Sequence, residues 1–407
     1  MRAYERLLNY ARVWTTSDEG TGTTPSTRRQ FDLAEMLVEE MKALGIGDAH
    51  ADEHGYVYGT IPAAPGFEHC TRIGFIAHMD TAPDFSGKDV KCQLHENYDG
   101  ERLEIGNGRV LDPGKLTHLK KLKGKTLITT DGATLLGADD KAGIAEILTM
   151  AEILLSGEEK KGHGQVSIAF TPDEEIGSGA YLLDISKFGA QYAYTVDGGA
   201  PCEITYETFN AAEAKAEFSG VSVHPGDAKD VMVNASLAAM EFNSGLPSFE
   251  IPACTEKYEG FFHLVEMSGN VEKAALKYIV RDHSEAHFEV RLEQLRLIEK
   301  LLNEKYGEGT VRLEIRRQYR NMEEKIRPCM HLVENAAQVM KSLGIEPDFS
   351  PVRGGTDGAE LSFRGLPCPN LGTGGYSFHG PLEHITVEDM DLVTKILLGI
   401  VAKYAAD

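Results

Sequence analysis

The run Ile73-Gly-Phe-Ile-Ala-His-Met-Asp80 decides how this chain is read. It opens with small and apolar residues, as an apolar strand does, and the polar pair His78 and Asp80 follows where that strand should end. Residues two apart on an extended segment face the same side. An imidazole with a carboxylate two positions on is therefore suited to a metal-ligating histidine whose other ring nitrogen is aimed by an acid. A strand ending in a polar turn would look the same, so the reading depends on what the chain brings to its other strand ends.

Four further segments bring acids and one more histidine. Leu136-Gly-Ala-Asp-Asp-Lys-Ala-Gly143 puts Asp139 and Asp140 where a loop enters a helix marked by Ile144, Ile147, Leu148, Ala151 and Leu155. A single Asp there is commonly an N-cap, whereas a doublet flanked by Gly137 and Gly143 also suits a tight backbone next to an ion. Val166-Ser-Ile-Ala-Phe-Thr-Pro-Asp-Glu-Glu-Ile-Gly177 runs a β-rich segment into Asp173, Glu174 and Glu175, whose repulsion calls for either solvent or a cation. Tyr192-Ala-Tyr-Thr-Val-Asp-Gly-Gly199 ends another strand in Asp197, at a dipeptide that equally suits a hairpin turn. Asn370-Leu-Gly-Thr-Gly-Gly-Tyr-Ser-Phe-His-Gly-Pro381 holds His379 in a glycine-rich loop. Together they describe a site at the carboxyl edge of an open α/β sheet. Two histidines with several carboxylates and no cysteine suit zinc, manganese or cobalt at an open site, and the acids suffice for two ions.

These segments resemble those of the M20 metallopeptidase family. Gly-Ala-Asp-Asp-Lys-Ala-Gly, Thr-Pro-Asp-Glu-Glu, Tyr-Thr-Val-Asp-Gly-Gly and Arg-Gly-Gly-Thr-Asp-Gly are all present without a gap, and the likeness extends from the amino-terminal helix to the last one. The resemblance implies an α/β fold in which an open mixed-sheet zinc-peptidase catalytic domain carries an inserted ferredoxin-like α+β lid domain. It implies that His78 and Asp197 hold one divalent metal ion, that Glu175 and His379 hold another, and that Asp139 bridges the two. Asp80 would orient His78, and Glu174 would be the general base. The family pattern puts the bridging acid two residues before the lysine, with a cis peptide bond after it, and puts the base before the ligand in Glu174-Glu175. Chemistry alone allows either order in each pair. The ions are expected to be zinc, with cobalt or manganese as alternatives. A water bridging them, its pKa lowered from about 15.7 toward 7, would yield the attacking hydroxide, and Glu174 would carry its proton to the departing amine. The likeness along the whole chain implies an aminopeptidase that releases the first residue of tripeptides, its partners being small peptides with a free N-terminus.

Other chemistries find no foothold. The chain has no Gly-x-Ser-x-Gly elbow, no His-Glu-x-x-His helix and no Gly-x-Gly-x-x-Gly after an expected strand. Gly124-Lys125-Thr126 resembles the end of a phosphate loop, but Leu119 stands where the leading glycine is required. With 41 basic and 63 acidic residues among 407, the net charge of −22 argues against nucleic acid or an anionic membrane as partner. Met1-Arg-Ala-Tyr-Glu-Arg-Leu-Leu reads as a charged amphipathic helix with no cleavage site, and no apolar run is long enough to span a bilayer. Cys70, Cys92, Cys202, Cys254, Cys329 and Cys368 lack Cys-x-x-Cys spacing, as expected of reduced thiols in a cytoplasmic protein.

A chain of this length exceeds what one core serves, so two domains are expected. From Ala211 it reads strand to Gly220, helix Asp230 to Phe242, strands Phe261 to Met267 and Ala274 to Val280, helix Glu285 to Tyr306, and strand Thr310 to Gln318. That β-α-β-β-α-β order is ferredoxin-like. None of the expected ligands lies within it, so 208–320 is expected to be inserted into a discontinuous catalytic domain of 1–207 and 321–407. Inserted domains of this family often dimerise, which leaves a homodimer open.

His224, Arg281 and Arg353 each suit a bland role, in a turn or a surface ion pair. The resemblance implies instead that His224 steadies the oxyanion and that Arg281 and Arg353 hold the peptide carboxylate, for which a planar guanidinium fork is suited. A fixed span from metals to arginines, set when the lid closes, would then act as a ruler for tripeptides. Two alternatives stand beside this reading: another M20-type hydrolase, such as a dipeptidase or an N-acyl-amino-acid amidohydrolase, and a catalytically inactive peptide-binding protein.

Overall fold

A computed structural model describes residues 1–157 and 162–406. Ile73–His78 and Val166–Thr171 are strands in which every residue is buried, as their apolar runs demand. They pair in parallel, and Tyr192–Gly198 adds in parallel on the other side of Ile73–His78. The full sheet runs His50–Ala51, Val57–Ile61, Val166–Thr171, Ile73–His78, Tyr192–Gly198, Asn370–Gly372, Ile204–Thr205. Its outer pairings are antiparallel, which makes the sheet mixed. Parallel pairing puts the carboxyl ends of the central strands at one edge, so His78, the acids after Thr171 and Asp197 emerge side by side.

Helix Ala138–Ser156 covers one face of this sheet, and Ala3–Tyr10 and Val387–Tyr404 pack against that helix in turn. Most of the central helix is buried on all sides, so its sequence shows little polar stripe. Gly143 allows its close approach, because a Cβ there would meet the Val196 carbonyl oxygen at 2.0 Å. The tight backbone expected at this glycine is thus a helix-on-strand contact. The other face is filled by Tyr56, Tyr58, Ile76, Leu183, Phe188 and Leu361. A smaller antiparallel sheet runs Gly375–Tyr376, His384–Thr386, Leu127–Thr130, Cys92–His95.

The described chain divides into two compact units. Met1–Tyr206, Glu324–Ser350 and Thr356–Asp407 form the first, and Glu207–Glu323 with Pro351–Gly355 form the second. In the second, four antiparallel strands lie in the order Val311–Arg317, Asn210–Ser219, Lys273–Asp282, Phe261–Gly269. Alternation sets their faces: Ala212, Ala214, Ala216, Phe218, Leu276, Tyr278 and Val280 are buried with Phe242, Phe288, Leu292 and Leu295 of helices Ala235–Ser244 and Glu285–Tyr306. The first of these helices starts at Ala235 rather than at the expected Asp230. The Asn234 side chain accepts the Leu237 N–H at 3.3 Å and caps it there, while Val233 is bridged to Val221 in extended pairing. The sequence reading kept 321–407 together, whereas Pro351–Gly355 groups with the second unit. Arg353 ties it down, donating from Nη1 to the carbonyls of Lys257 at 2.9 Å and Glu259 at 2.8 Å, and from Nη2 to Thr255 Oγ1 at 2.8 Å. No helix among the described residues is long and apolar enough to cross a membrane.

In the smaller sheet of the first unit, His384 is fully buried, its Nδ1 2.7 Å from the Leu382 carbonyl and its Nε2 2.9 Å from Nε2 of His118. Burial lowers its pKa to about 4 from an ordinary 6.5. The unfolded chain therefore takes up this proton first as pH falls, and stability is lost between those two values, at up to about 1.4 kcal/mol per pH unit. Urea unfolding at pH 7 and pH 4.5 should cost wild type more stability than a His384→Gln variant, whereas equal losses would contradict a buried neutral imidazole.

Candidate metal centre

His78 closes its strand and is 2% exposed. Its backbone N–H donates to Asp140 Oδ2 at 3.1 Å. Its Nδ1 lies 3.0 Å from the Asp80 carbonyl oxygen and 3.3 Å from Asp80 Oδ1, which makes Nδ1 the protonated nitrogen and leaves Nε2 free to act as a donor atom. That Nε2 is 3.0 Å from Asp139 Oδ1 and 3.5 Å from Asp197 Oδ1. The second oxygen of Asp139, Oδ2, lies 3.3 Å from His379 Nε2, which is 3.0 Å from Glu175 Oε2. Two donor groups result, His78–Asp139–Asp197 and Asp139–Glu175–His379, each with its ligating atoms within 4.8 Å of one another. The peptide bond between Asp139 and Asp140 is cis.

Each group offers one imidazole and two carboxylates, with Asp139 common to both. Such a donor set fits a divalent ion of borderline hardness and leaves positions open, unlike a closed thiolate site. The electrostatics agree with that fit. Burial, and then Asp139, push Glu175 up to about 7, and burial pushes Asp197 up to about 6. Burial and Asp197 raise Glu174 and Asp140 well above the usual carboxylate range. Burial pulls the His78 pKa down, but Asp197, Asp139 and Asp80 outweigh it and raise it well above 6.5. Hydrogen bonds that its ring donates to Asp139 and Glu175 take His379 up to about 11. A cluster so rich in negative charge is one that cations relieve.

The remaining acids turn their oxygens to backbone N–H groups and to side-chain donors. Asp80, fully buried, accepts the Glu174 N–H at Oδ1, 3.0 Å, and the Glu175 N–H at Oδ2, 3.2 Å. It therefore aims His78 and the Glu174-Glu175 turn together. Asp173, at φ +58°, faces away from Glu174 and Glu175 and accepts from Ser26 N at 2.6 Å, Ser26 Oγ at 2.5 Å and Gln30 Nε2 at 2.7 Å. Glu383, 1% exposed, accepts N–H groups from Leu136 at 2.6 Å and Gly137 at 2.9 Å on Oε2, and from Asp139 at 3.1 Å on Oε1. Burial pushes it up to about 7 against the pull of those amides. Asp357 is buried and accepts from Thr171 Oγ1 at 2.8 Å.

Sequence reasoning missed Glu383, Asp357 and the separate task of Asp173. Asp173 and Asp357 stood within segments already singled out, where a surplus acid could have been asked for its partner. Glu383 had no local signal beyond its distance of four residues from His379.

The other three residues singled out from the sequence lie in the second unit. His224 is exposed at the start of a short 3₁₀ turn, with Nδ1 accepting the Gly226 N–H at 3.1 Å. Arg281 lies over the Tyr319 ring at 5.0 Å and donates from Nη1 to the Val280 carbonyl at 3.1 Å and the Ala212 carbonyl at 3.3 Å. Arg353 lies over Phe209 at 5.1 Å and Phe261 at 5.5 Å, in addition to its carbonyl contacts.

Residues 130–403 match the model of peptidase family M20/M25/M40. A protein named Peptidase T from Clostridium perfringens is 52% identical over 404 residues, 99% of each chain. Among solved structures, aminopeptidase PepT from Bacillus cereus superposes with a TM-score of 0.79 at 21% identity, covering 99% of this chain and 98% of that one. A tripeptidase from Staphylococcus aureus gives 0.77 at 20% identity, with 100% and 98% covered. With the family model spanning more than half the chain and a relative of this identity aligned over nearly its full length, the chain belongs to peptidase family M20/M25/M40.

Proposed function

We propose that this chain is a dinuclear metallo-aminopeptidase that hydrolyses the N-terminal peptide bond of tripeptides. The observation that carries the reading is the Asp139 carboxylate, with one oxygen turned to His78 Nε2 and the other to His379 Nε2. Half of all positions shared over full length with proteins named Peptidase T, and a fold shared with a tripeptidase, support the substrate class. In this reading His78, Asp139 and Asp197 hold one divalent ion, and Asp139, Glu175 and His379 hold the other, zinc ahead of cobalt or manganese. Such ions supply Lewis acidity to a peptide carbonyl and bring the pKa of water close to neutrality.

Glu174 is the proton carrier. Its backbone is fixed by Asp80, so its carboxyl sits at a set place beside Asp197 and takes the proton of the attacking water before passing it to the leaving amine. Asp80 keeps the proton on Nδ1 of His78 and so keeps Nε2 turned to the centre. His224 steadies the developing oxyanion, and Arg281 and Arg353 hold the far carboxylate of the peptide. Arg353 is pinned by three acceptors, which gives its remaining N–H groups a fixed aim, as a length gauge requires. Six cysteines without a disulfide accord with a cytoplasmic setting.

Matched di-, tri- and tetrapeptides and an N-acetylated tripeptide, incubated with zinc-loaded protein and analysed by mass spectrometry, test the whole reading. Release of the first residue from the free tripeptide, far faster than from the others, is the expected result. Preferred cleavage of the dipeptide or the acetylated compound would move the chain to another M20-type hydrolysis, and no cleavage of any would favour a peptide-binding protein. Glu174→Gln should lower kcat by about 10²–10⁴ while zinc content stays at the wild-type level, since the loss of a proton carrier leaves the ligands in place. Retained activity in that variant would remove Glu174 from the chemistry. Arg353→Met should lower kcat/KM for tripeptides about tenfold or more, the worth of a charge-assisted contact, and narrow the gap between tripeptide and dipeptide. Steady-state kinetics equal to wild type would end the length-gauge idea.

A further inference from the structure

We propose that Glu383 is a positioning residue of the metal centre, holding the loop that carries the shared ligand Asp139 in register with the loop that carries His379. The inference rests on the dinuclear reading and assigns a task to a residue outside both donor groups. Its geometry is specific. One oxygen of Glu383 accepts the N–H groups of Leu136 and Gly137, at 2.6 and 2.9 Å, and the other accepts that of Asp139, at 3.1 Å. These are amides at the entry to helix Ala138–Ser156, where unpaired N–H groups and the helix dipole favour an anion. Gly137 is left-handed, at φ +76°, a conformation that favours glycine in this turn.

The same residue is tied to the other ligand. The Glu383 N–H donates to the Gly380 carbonyl at 3.2 Å, closing the turn that follows directly on His379. His379 itself sits at φ +60°. A single buried side chain thus spans from the turn that presents one imidazole to the backbone N–H of the carboxylate that must face both imidazoles. The side chain of Lys141, also buried, donates to the Val13 carbonyl at 2.7 Å and interacts electrostatically with Glu383, so the anion is not left alone in the interior. Asp80 does the equivalent for the Glu174-Glu175 turn, and the two acids together fix three of the loops that bear ligands.

A carboxylate is needed here because three donors converge on two oxygens. Glutamine keeps the size but offers one oxygen, so an NH₂ group must confront at least one amide N–H. If the remaining oxygen stays with Leu136 and Gly137, the group that loses its acceptor is Asp139.

The test is zinc affinity of metal-free protein, read by competition with a chromophoric chelator, for wild type, Glu383→Gln and Tyr10→Phe. The last removes a buried hydroxyl that donates to Glu40 at 2.6 Å, away from the centre, and controls for a general loss of stability. Glu383→Gln should bind zinc 10–100-fold more weakly than wild type, in the range typical of residues that orient ligands, while Tyr10→Phe should match wild type. Equal affinity in Glu383→Gln, or the same loss in Tyr10→Phe, would overturn the inference while leaving the dinuclear reading in place. Fewer than two zinc ions bound by wild type would overturn the dinuclear reading itself, and this inference with it. If Glu383→Gln does not fold, hydrogen exchange of the wild-type metal-free protein decides. Peptides covering Leu135 to Asp140 should then exchange slowly, and exchange at the rate of an open loop would refute the anchoring.

Discussion

The candidate metal centre depends on one arrangement: Asp139 presents one oxygen to His78 and the other to His379. A carboxylate in that position is flanked by Asp197 on one side and Glu175 on the other, with Glu174 and Asp140 close behind, and like charges so close repel. The chain meets that repulsion by dividing the acids into two sets. Asp139, Glu175 and Asp197 turn toward the imidazoles, whereas Asp80, Asp140, Asp173 and Glu383 turn toward backbone N–H groups. Of the second set, Asp80 and Glu383 also order loops of the first, through the N–H groups of Glu174 and Glu175 and of Asp139. The doublet Asp139-Asp140 and the triplet Asp173-Glu174-Glu175 make sense in those terms, because neighbours in sequence point to different partners.

The scaffold makes such an arrangement affordable. Parallel pairing of Val166–Thr171, Ile73–His78 and Tyr192–Gly198 brings three strand ends to one edge, and burial of both faces holds their relative heights. The central helix is pressed onto that sheet closely enough that Gly143 meets the Val196 carbonyl. Since Asp139 and Asp140 open that helix and Val196 precedes Asp197, the same contact sets the distance between Asp139 and Asp197, candidate ligands from two different elements. Precision in the loops is inherited from rigidity beneath them.

Much of this was legible in the sequence. Apolar runs ending in His78, in the acids after Thr171 and in Asp197 marked strands that end at one sheet edge, and the order of strands and helices after Ala211 marked the sheet and helices of the second unit. The candidate residues were legible because histidines and carboxylates gather at strand ends, at one helix entry and in one glycine-rich loop, whereas the choice within Asp139-Asp140 and Glu174-Glu175 came from the family resemblance. Glu383 was not, since its value lies in three amides supplied from more than two hundred residues away. Nor was the grouping of Arg353 with the second unit, which depends on carbonyls of Lys257 and Glu259 rather than on any neighbour in sequence. The start of helix Ala235–Ser244 was displaced because Asn234 caps it, a local signal outweighed by the apolar residues Val231, Met232 and Val233 before it.

The central claim is that one carboxylate serves two ions. Anomalous scattering from crystals of the zinc-loaded protein, recorded at the zinc edge, tests it without reference to any substrate. The account predicts two peaks about 3.5–4 Å apart, one beside His78 and Asp197, the other beside Glu175 and His379, with Asp139 between them. A single peak, or two peaks of which either lies away from Asp139, would contradict it.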